Sequence, residues 1–252
     1  MKNHFIQKKF LETFVADYGL YIYDIKKHTK LPMMKNAATI AYQDDLYHFH
    51  SLNIDDKEIE LNIKKIEDAG IKIIQEIVNS ENLPNHKSLQ MLLVYFLLQS
   101  MRSPSEIELQ SEIGSKITYG TNLDGRDLSI ARLFDYHFYK NEIVNLLSCY
   151  RFYLIKFDKP LFFITDNFCN FISVPTKEKV IPLNGHLALY LVHKECEDAK
   201  IVVKDSMLVQ HLAELDYFKI LPLLFVGVNR WIYACYHPTI QAIIPKLCDL
   251  FA

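Results

Sequence analysis

The stretch RFYLIKFDKPLFFITDN, residues 151–167, decides how this chain is read. Arg151 to Phe157 and Leu161 to Thr165 are short runs of aromatic and β-branched residues, split by Asp158-Lys159-Pro160, a turn signal, and closed by another at DNFCN (166–170). Two more runs follow, VIPL (180–183) and LALYLVH (187–193), separated by Asn184-Gly185. These are strands, and what flanks them settles the fold class.

Upstream the period is helical. In DKEIELNIKKIEDAGIKIIQEIV (56–78), Ile59, Ile63, Ile66, Ile73 and Ile77 fall on one stripe, with Asp55 or Asp56 as the N-cap and Gly70 as a kink point. A second helix is expected from about His86 to Met101, ending near Pro104. It is apolar nearly all round, so it should be central. A third follows DGRD (124–127) and runs on through LSIARLFDYHFYKNEIVNLLSCY. From about 206 to 250 the helical period returns, broken by Pro222, Pro238 and Pro245. Near the N-terminus a short helix carries Phe10, Leu11 and Phe14 on one stripe, followed by strands at 20–25 and 45–51. The order helix, strand, helix predicts an α+β fold: one domain over 1–252, mainly helical, with a small, mostly antiparallel sheet of N-terminal and central strands.

Composition removes several function classes. With 252 residues, half of them hydrophobic, the chain can bury a sizeable core. A net charge of −2 spreads no field of one sign, so non-specific electrostatic capture of nucleic acid is not implied. The seven glycines form neither GxGxxG nor GxxxxGK[ST], which argues against Rossmann and P-loop phosphate cradles. No GxSxG is present, and Glu178-Lys179 after Asp166 matches the metal-nuclease PD-(D/E)xK pattern poorly. Five scattered cysteines with no CxxC fit a reducing cytoplasm, where the chain is expected to reside. The opening MKNHFIQKKF lacks a signal-peptide core, and MLLVYFLL (91–98) and ILPLLFVGV (220–228) are too short to span a bilayer, so no membrane partner is expected.

Three small constellations carry chemistry. His48 and His50 share a strand face at metal-ligand spacing, but no third ligand set accompanies them; two surface histidines on a strand edge are the favoured reading, and no metal is assigned. Gln99 and Arg102 are three residues apart at a helix end, a fork able to hold phosphate or carboxylate, or an arginine serving its own helix's last carbonyls. Asp166-Asn167, at the end of a strand, can point into a cleft or form a turn.

Several segments together resemble one family. HFIQKKFLETF (4–14), LYIYDIKK (20–27) and AYQDDLYHFHS (41–51) are similar to the N-terminal signature of the bacterial family catalogued as domain of unknown function 4238, which opens His-aromatic-aliphatic-Pro before Phe-Leu-x-x-Phe. QSMRSP (99–104), FFITDN (162–167), IPLNGHLAL (181–189) and VNRWIYACYHP (228–238) resemble its later motifs in collinear order, the last as a terminal helix. The chain departs from the pattern at Gln7, where the family has Pro, at Phe168 for Pro, at Asn184-Gly185 for Ser-Pro, and by lacking a Ser between Thr165 and Asp166.

The resemblance implies a bacterial protein with relatives regarded as anti-phage defence proteins. With the residue chemistry it leads to an expected effector, a nuclease acting on RNA or DNA. His4, Arg102 and Asp166 would be catalytic, and Gln99, Asn167 and Asn229 would bind substrate. The expected partner is nucleic acid or a phage component, and no cofactor is named. Two alternatives stay open at this point. One is a non-catalytic sensing or binding module using the same cleft; in the other, His4 merely caps a helix that closes the core.

Overall fold

The computed structural model describes residues 2–15, 19–31, 37, 40–44, 46, 56–117, 125–169, 176–203, 209–225, 230–235 and 238–251. The opening stretch forms β5 (Tyr150–Lys156) and β6 (Phe163–Thr165). They do not share a sheet. β5 lies in the order β7-β8-β5-β9 with β7 (Glu178–Pro182), β8 (Leu187–His193) and β9 (Gln210–His211). β7, β8 and β5 pair antiparallel, whereas β9 joins β5 parallel.

β6 belongs to a second sheet of order β3-β2-β10-β6, with β2 (Leu20–Asp24), β3 (Thr29–Lys30) and β10 (Trp231–Cys235), antiparallel throughout. A third, two-stranded sheet pairs β1 (Lys2–His4) with β4 (Tyr42–Asp44). The α+β class therefore holds: N-terminal β2 and β3 share an antiparallel sheet with central β6, while the other central strands form a sheet of their own.

β10 corrects the expectation that 228–238 is helical. Trp231-Ile232-Tyr233-Ala234-Cys235 is an aromatic and apolar run, and it has edges to pair with on both sides: Tyr233 faces Ile22 of β2 and Ile164 of β6. The helices around it are α7 (Tyr217–Leu224) and α8 (Pro238–Phe251), the latter starting on a proline whose missing N–H costs nothing there.

β2, β6, β8 and β10 are buried on both faces, which is why they read as nearly continuous apolar runs, while the edge strands β3 and β9 are polar and largely exposed. Leu189, Leu191, Ile22 and Tyr233 enter one core, shared with the helices before β5. Ala188, Tyr190, Tyr23 and Ile232 enter another, closed by α7 and α8. The turn between β7 and β8 is held by Asn184, whose Oδ1 accepts from the N–H groups of His186 (2.8 Å) and Leu187 (2.7 Å). A Cβ at Gly185 would sit 2.4 Å from the Cys235 sulfur. The departure to Asn-Gly thus has its own local logic.

The helical layer comprises α1 (Lys8–Glu12), α2 (Asp56–Ser80), α3 (His86–Met101), α4 (Pro104–Ile117), α5 (Gly125–Arg132) and α6 (Tyr136–Cys149). α3 is capped by Asn85, which accepts from the Ser88 N–H at 3.0 Å, and Leu92, Leu93 and Tyr95 to Leu98 are fully buried. α2 passes through Gly70 unbroken. The glycine serves a close approach instead: a Cβ there would lie 2.3 Å from the Tyr95 ring. The helix expected after DGRD is two helices, because Asp135 turns its carboxylate onto the His137 (2.9 Å) and Phe138 (3.1 Å) N–H groups and starts α6.

Candidate functional site

α1 is only 5 residues long and makes no side-chain cap hydrogen bond, so packing must hold it. Phe10, Leu11 and Phe14 are fully buried and anchor it; Phe10 stacks on Phe168 at 4.9 Å and meets Tyr95 edge-on at 6.2 Å. This seating brings the chain from His4 to Gln7 against the C-terminal end of α3. There a polar network forms inside the protein.

Its centre is Arg102, the residue that ends α3, 1% exposed. The guanidinium pairs with the Glu67 carboxylate of α2 and donates to the His4 carbonyl. Gln99 bridges the same elements: its Nε2 donates to Glu67 Oε1 (3.3 Å), and its Oε1 accepts from the Gln7 N–H (3.2 Å). Tyr95 donates to the Gln7 side-chain carbonyl at 3.0 Å, while burial, and then the Glu67 charge, push its phenol well above the ordinary range. Proline at position 7 could not donate to Gln99. The departure from the family motif adds a hydrogen bond to the network.

His4, Gln99 and Arg102 are thus brought together, with His4 taking part through its backbone carbonyl. Its ring lies edge-on to Tyr42 at 6.1 Å. The reading of His4 as a helix cap is overturned: His4 ends β1 by pairing with Tyr42, and the N-cap of α1 is Gln7.

Asp166 and Asn167 belong to a second group at the end of β6. The Asp166 N–H donates to the Trp231 carbonyl (3.1 Å), and its Oδ2 accepts from the Arg230 N–H (3.0 Å). Arg230 lays Nε (3.1 Å) and Nη2 (2.8 Å) on Asp24 Oδ2 and covers the Trp231 ring at 4.5 Å. Burial pushes the Asp24 carboxyl up, but the Arg230 hydrogen bond and the Lys27 N–H outweigh it and leave its pKa below the ordinary value. Asn167 is 6% exposed, and its Oδ1, like Thr165 Oγ1, is buried with no hydrogen-bond partner among the described residues. The two groups are linked through apolar contact, Phe168 on Phe10 and Phe10 on Tyr95. Asn229, His48 and His50 lie outside the described residues.

Among the described residues no group of three His, Cys, Asp or Glu side chains is placed to hold a metal ion. No helix among them is long and apolar enough to cross a membrane.

Glu67, Tyr95, Asp24 and Arg230 were not anticipated. Glu67 had a signal: it lies four residues after Ile63 and three before Gly70, on the stripe that α2 buries.

Next to the network α2, α3 and α6 enclose an open cavity of about 880 Å³. Ile66 and Val94, sequence neighbours of Glu67 and Tyr95, line it, together with Ile73, Met91 and Ile143. Tyr139 lines it too; its hydroxyl is buried without a partner among the described residues, within electrostatic reach of Arg102, and burial raises its pKa. The Arg102 network therefore backs a largely apolar groove.

Comparison with known families matches residues 2–125 to the family described as protein of unknown function (DUF4238). Neither the curated proteins nor the solved structures include a match to the chain.

Proposed function

From a chain that belongs over residues 2–125 to the DUF4238 family, whose description assigns no activity, we propose a binding module rather than a catalyst. In this reading His4, Gln99 and Arg102 are framework, and the ligand enters the groove between α2, α3 and α6. One observation carries it: the Arg102 guanidinium is buried and already engaged by Glu67 and the His4 carbonyl. A phosphate would have to displace a carboxylate from a site with little access to water, and would leave that carboxylate, only slightly exposed, without its partner. As a member of an anti-phage system, such a protein would act by recognising a phage component or a small ligand.

The second reading is phosphodiester cleavage, favoured by the end of β6, where Asp166 stands beside Asn167 and Thr165 with their unpartnered buried oxygens. One experiment separates the two. Purified wild type, Arg102→Lys and Asp166→Asn are incubated with total RNA and plasmid DNA, with and without Mg²⁺ or Mn²⁺. The binding reading expects both nucleic acids to stay intact throughout. Cleavage by wild type that either variant loses at unchanged melting temperature supports the nuclease.

A further inference from the structure

The groove differs from an ordinary gap between helices in three respects. It is open, and its mouth carries large apolar groups in water: Met91 is 38% exposed, Phe134 40%, Tyr136 69% and Val144 59%. Its volume, about 880 Å³, falls in the range of small-molecule sites, roughly 300–1,000 Å³. Finally, its charges have one sign. Lys87 at the start of α3 and Lys140 on α6 line it, and among the described residues no Asp or Glu does. Both lysines are exposed, so a ligand can reach their ammonium groups while its body stays among Ile73, Val94 and Ile143.

From this we infer that the groove takes a single-chain anionic amphiphile: an alkyl chain laid between α3 and α6, with a carboxylate or similar monoanionic head held at the rim by Lys87 and Lys140. An alkyl chain fits because most of the wall is apolar, Ile66, Ile73, Val94 and Ile143 beside the rings of Phe134 and Tyr139, with Ser88, Gln90 and the Tyr139 hydroxyl among its uncharged polar groups. A cationic head is disfavoured by the two lysines, and a neutral one gains nothing from them. The inference rests on the binding reading and specifies the ligand for it.

The test titrates the purified full chain with decanoate, 1-decanol and decyltrimethylammonium below micelle formation, by calorimetry and by thermal melting. It is repeated on Lys87→Gln/Lys140→Gln and on Val144→Trp, which places a ring at the groove's mouth from an exposed position. Decanoate is expected to bind and raise the melting temperature, with the double lysine variant weakened about tenfold, as two exposed ion pairs allow. Decyltrimethylammonium should bind more weakly than decanoate, and Val144→Trp should bind none of the three.

Equal binding of all three amphiphiles, or an unchanged decanoate affinity in the lysine variant, overturns the ligand class and leaves the binding reading standing. Binding of none overturns both for this groove. A ligand-free dimer that Val144→Trp dissociates would also overturn the ligand class, giving the groove to a second copy.

Discussion

Glu67 and Arg102 form an ion pair across two helices, the carboxylate in the middle of α2 and the guanidinium at the last turn of α3, with side chains 14% and 2% exposed. Desolvating two charges is costly, and such a pair stabilises a fold only when its remaining donors and acceptors are satisfied. Here the His4 carbonyl and the Gln99 amide supply that satisfaction. The pair therefore ties the N-terminal segment to both helices.

Removing one partner should be worse than removing both. Arg102→Ala leaves Glu67 charged and only slightly exposed, and is expected to lower unfolding free energy by about 3 kcal/mol in urea titrations. Arg102→Met with Glu67→Leu should lose less than the single change. A double variant weaker than Arg102→Ala would contradict the pairing.

Gly70→Ala tests the packing of α2 on α3. In an exposed helix the change would stabilise by roughly 1 kcal/mol. Here the new methyl group meets the Tyr95 side chain, ring and Cβ, at 2.3 to 2.6 Å, so overpacking should dominate and lower stability by about 1–3 kcal/mol. Calorimetric melts read the sign directly.

Asp24 should give the protein an acid-sensitive element. Its carboxyl is held below the ordinary 3.8 in the folded state, so the folded protein binds fewer protons than the unfolded chain near that pH. The stabilisation is complete above the unfolded value and is lost as pH falls through the folded one. Stability measured from pH 6 down to 2 should drop less steeply for Asp24→Asn than for wild type.

Lys179 works in the alkaline range. Burial beside the Tyr150 ring, 5.8 Å from its ammonium, pushes it down to about 8 from 10.5. The unfolded chain then binds the extra proton, so this residue's contribution to stability should rise between pH 8 and 10.5. Buried Tyr95 and Tyr233, raised by burial, pull the other way near and above pH 10. The difference between wild type and Lys179→Met, followed from pH 7 to 10, isolates the lysine.

Tyr139→Phe removes a buried hydroxyl that has no partner among the described residues. It should be neutral or slightly stabilising, whereas loss of the paired Tyr95 hydroxyl in Tyr95→Phe should cost about 1 kcal/mol. Parallel urea titrations compare the two.

Local signals in the chain carried much of this architecture. The run 187–193 coincides with β8, and the central helix 86–101 with α3, because a β-rich run opened by the Asn184-Gly185 turn and a long apolar stretch stopped by Pro104 are both written locally. β10 was illegible for the opposite reason: its partners β2 and β6 lie far off in the chain, and a five-residue apolar run between prolines fits a helical period as well as a strand. At the site, the Gln99 and Arg102 step is readable, and Glu67 shows only by its place beside the buried stripe of α2, where a carboxylate does not stand out among that helix's many charges. The His4 contribution is a backbone carbonyl, which no residue type announces. Gln7, which looked like a loss, donates the hydrogen bond that proline could not.

The state of the Arg102 guanidinium is the most direct test of a framework role. In ¹⁵N-resolved NMR of the arginine side chains, its Nη protons should appear as separate, slowly exchanging signals assigned by their loss in Arg102→Lys, and stay unmoved by inorganic phosphate or a short oligonucleotide. Averaged, fast-exchanging signals, or signals that shift on adding either ligand, would show an open guanidinium and contradict it.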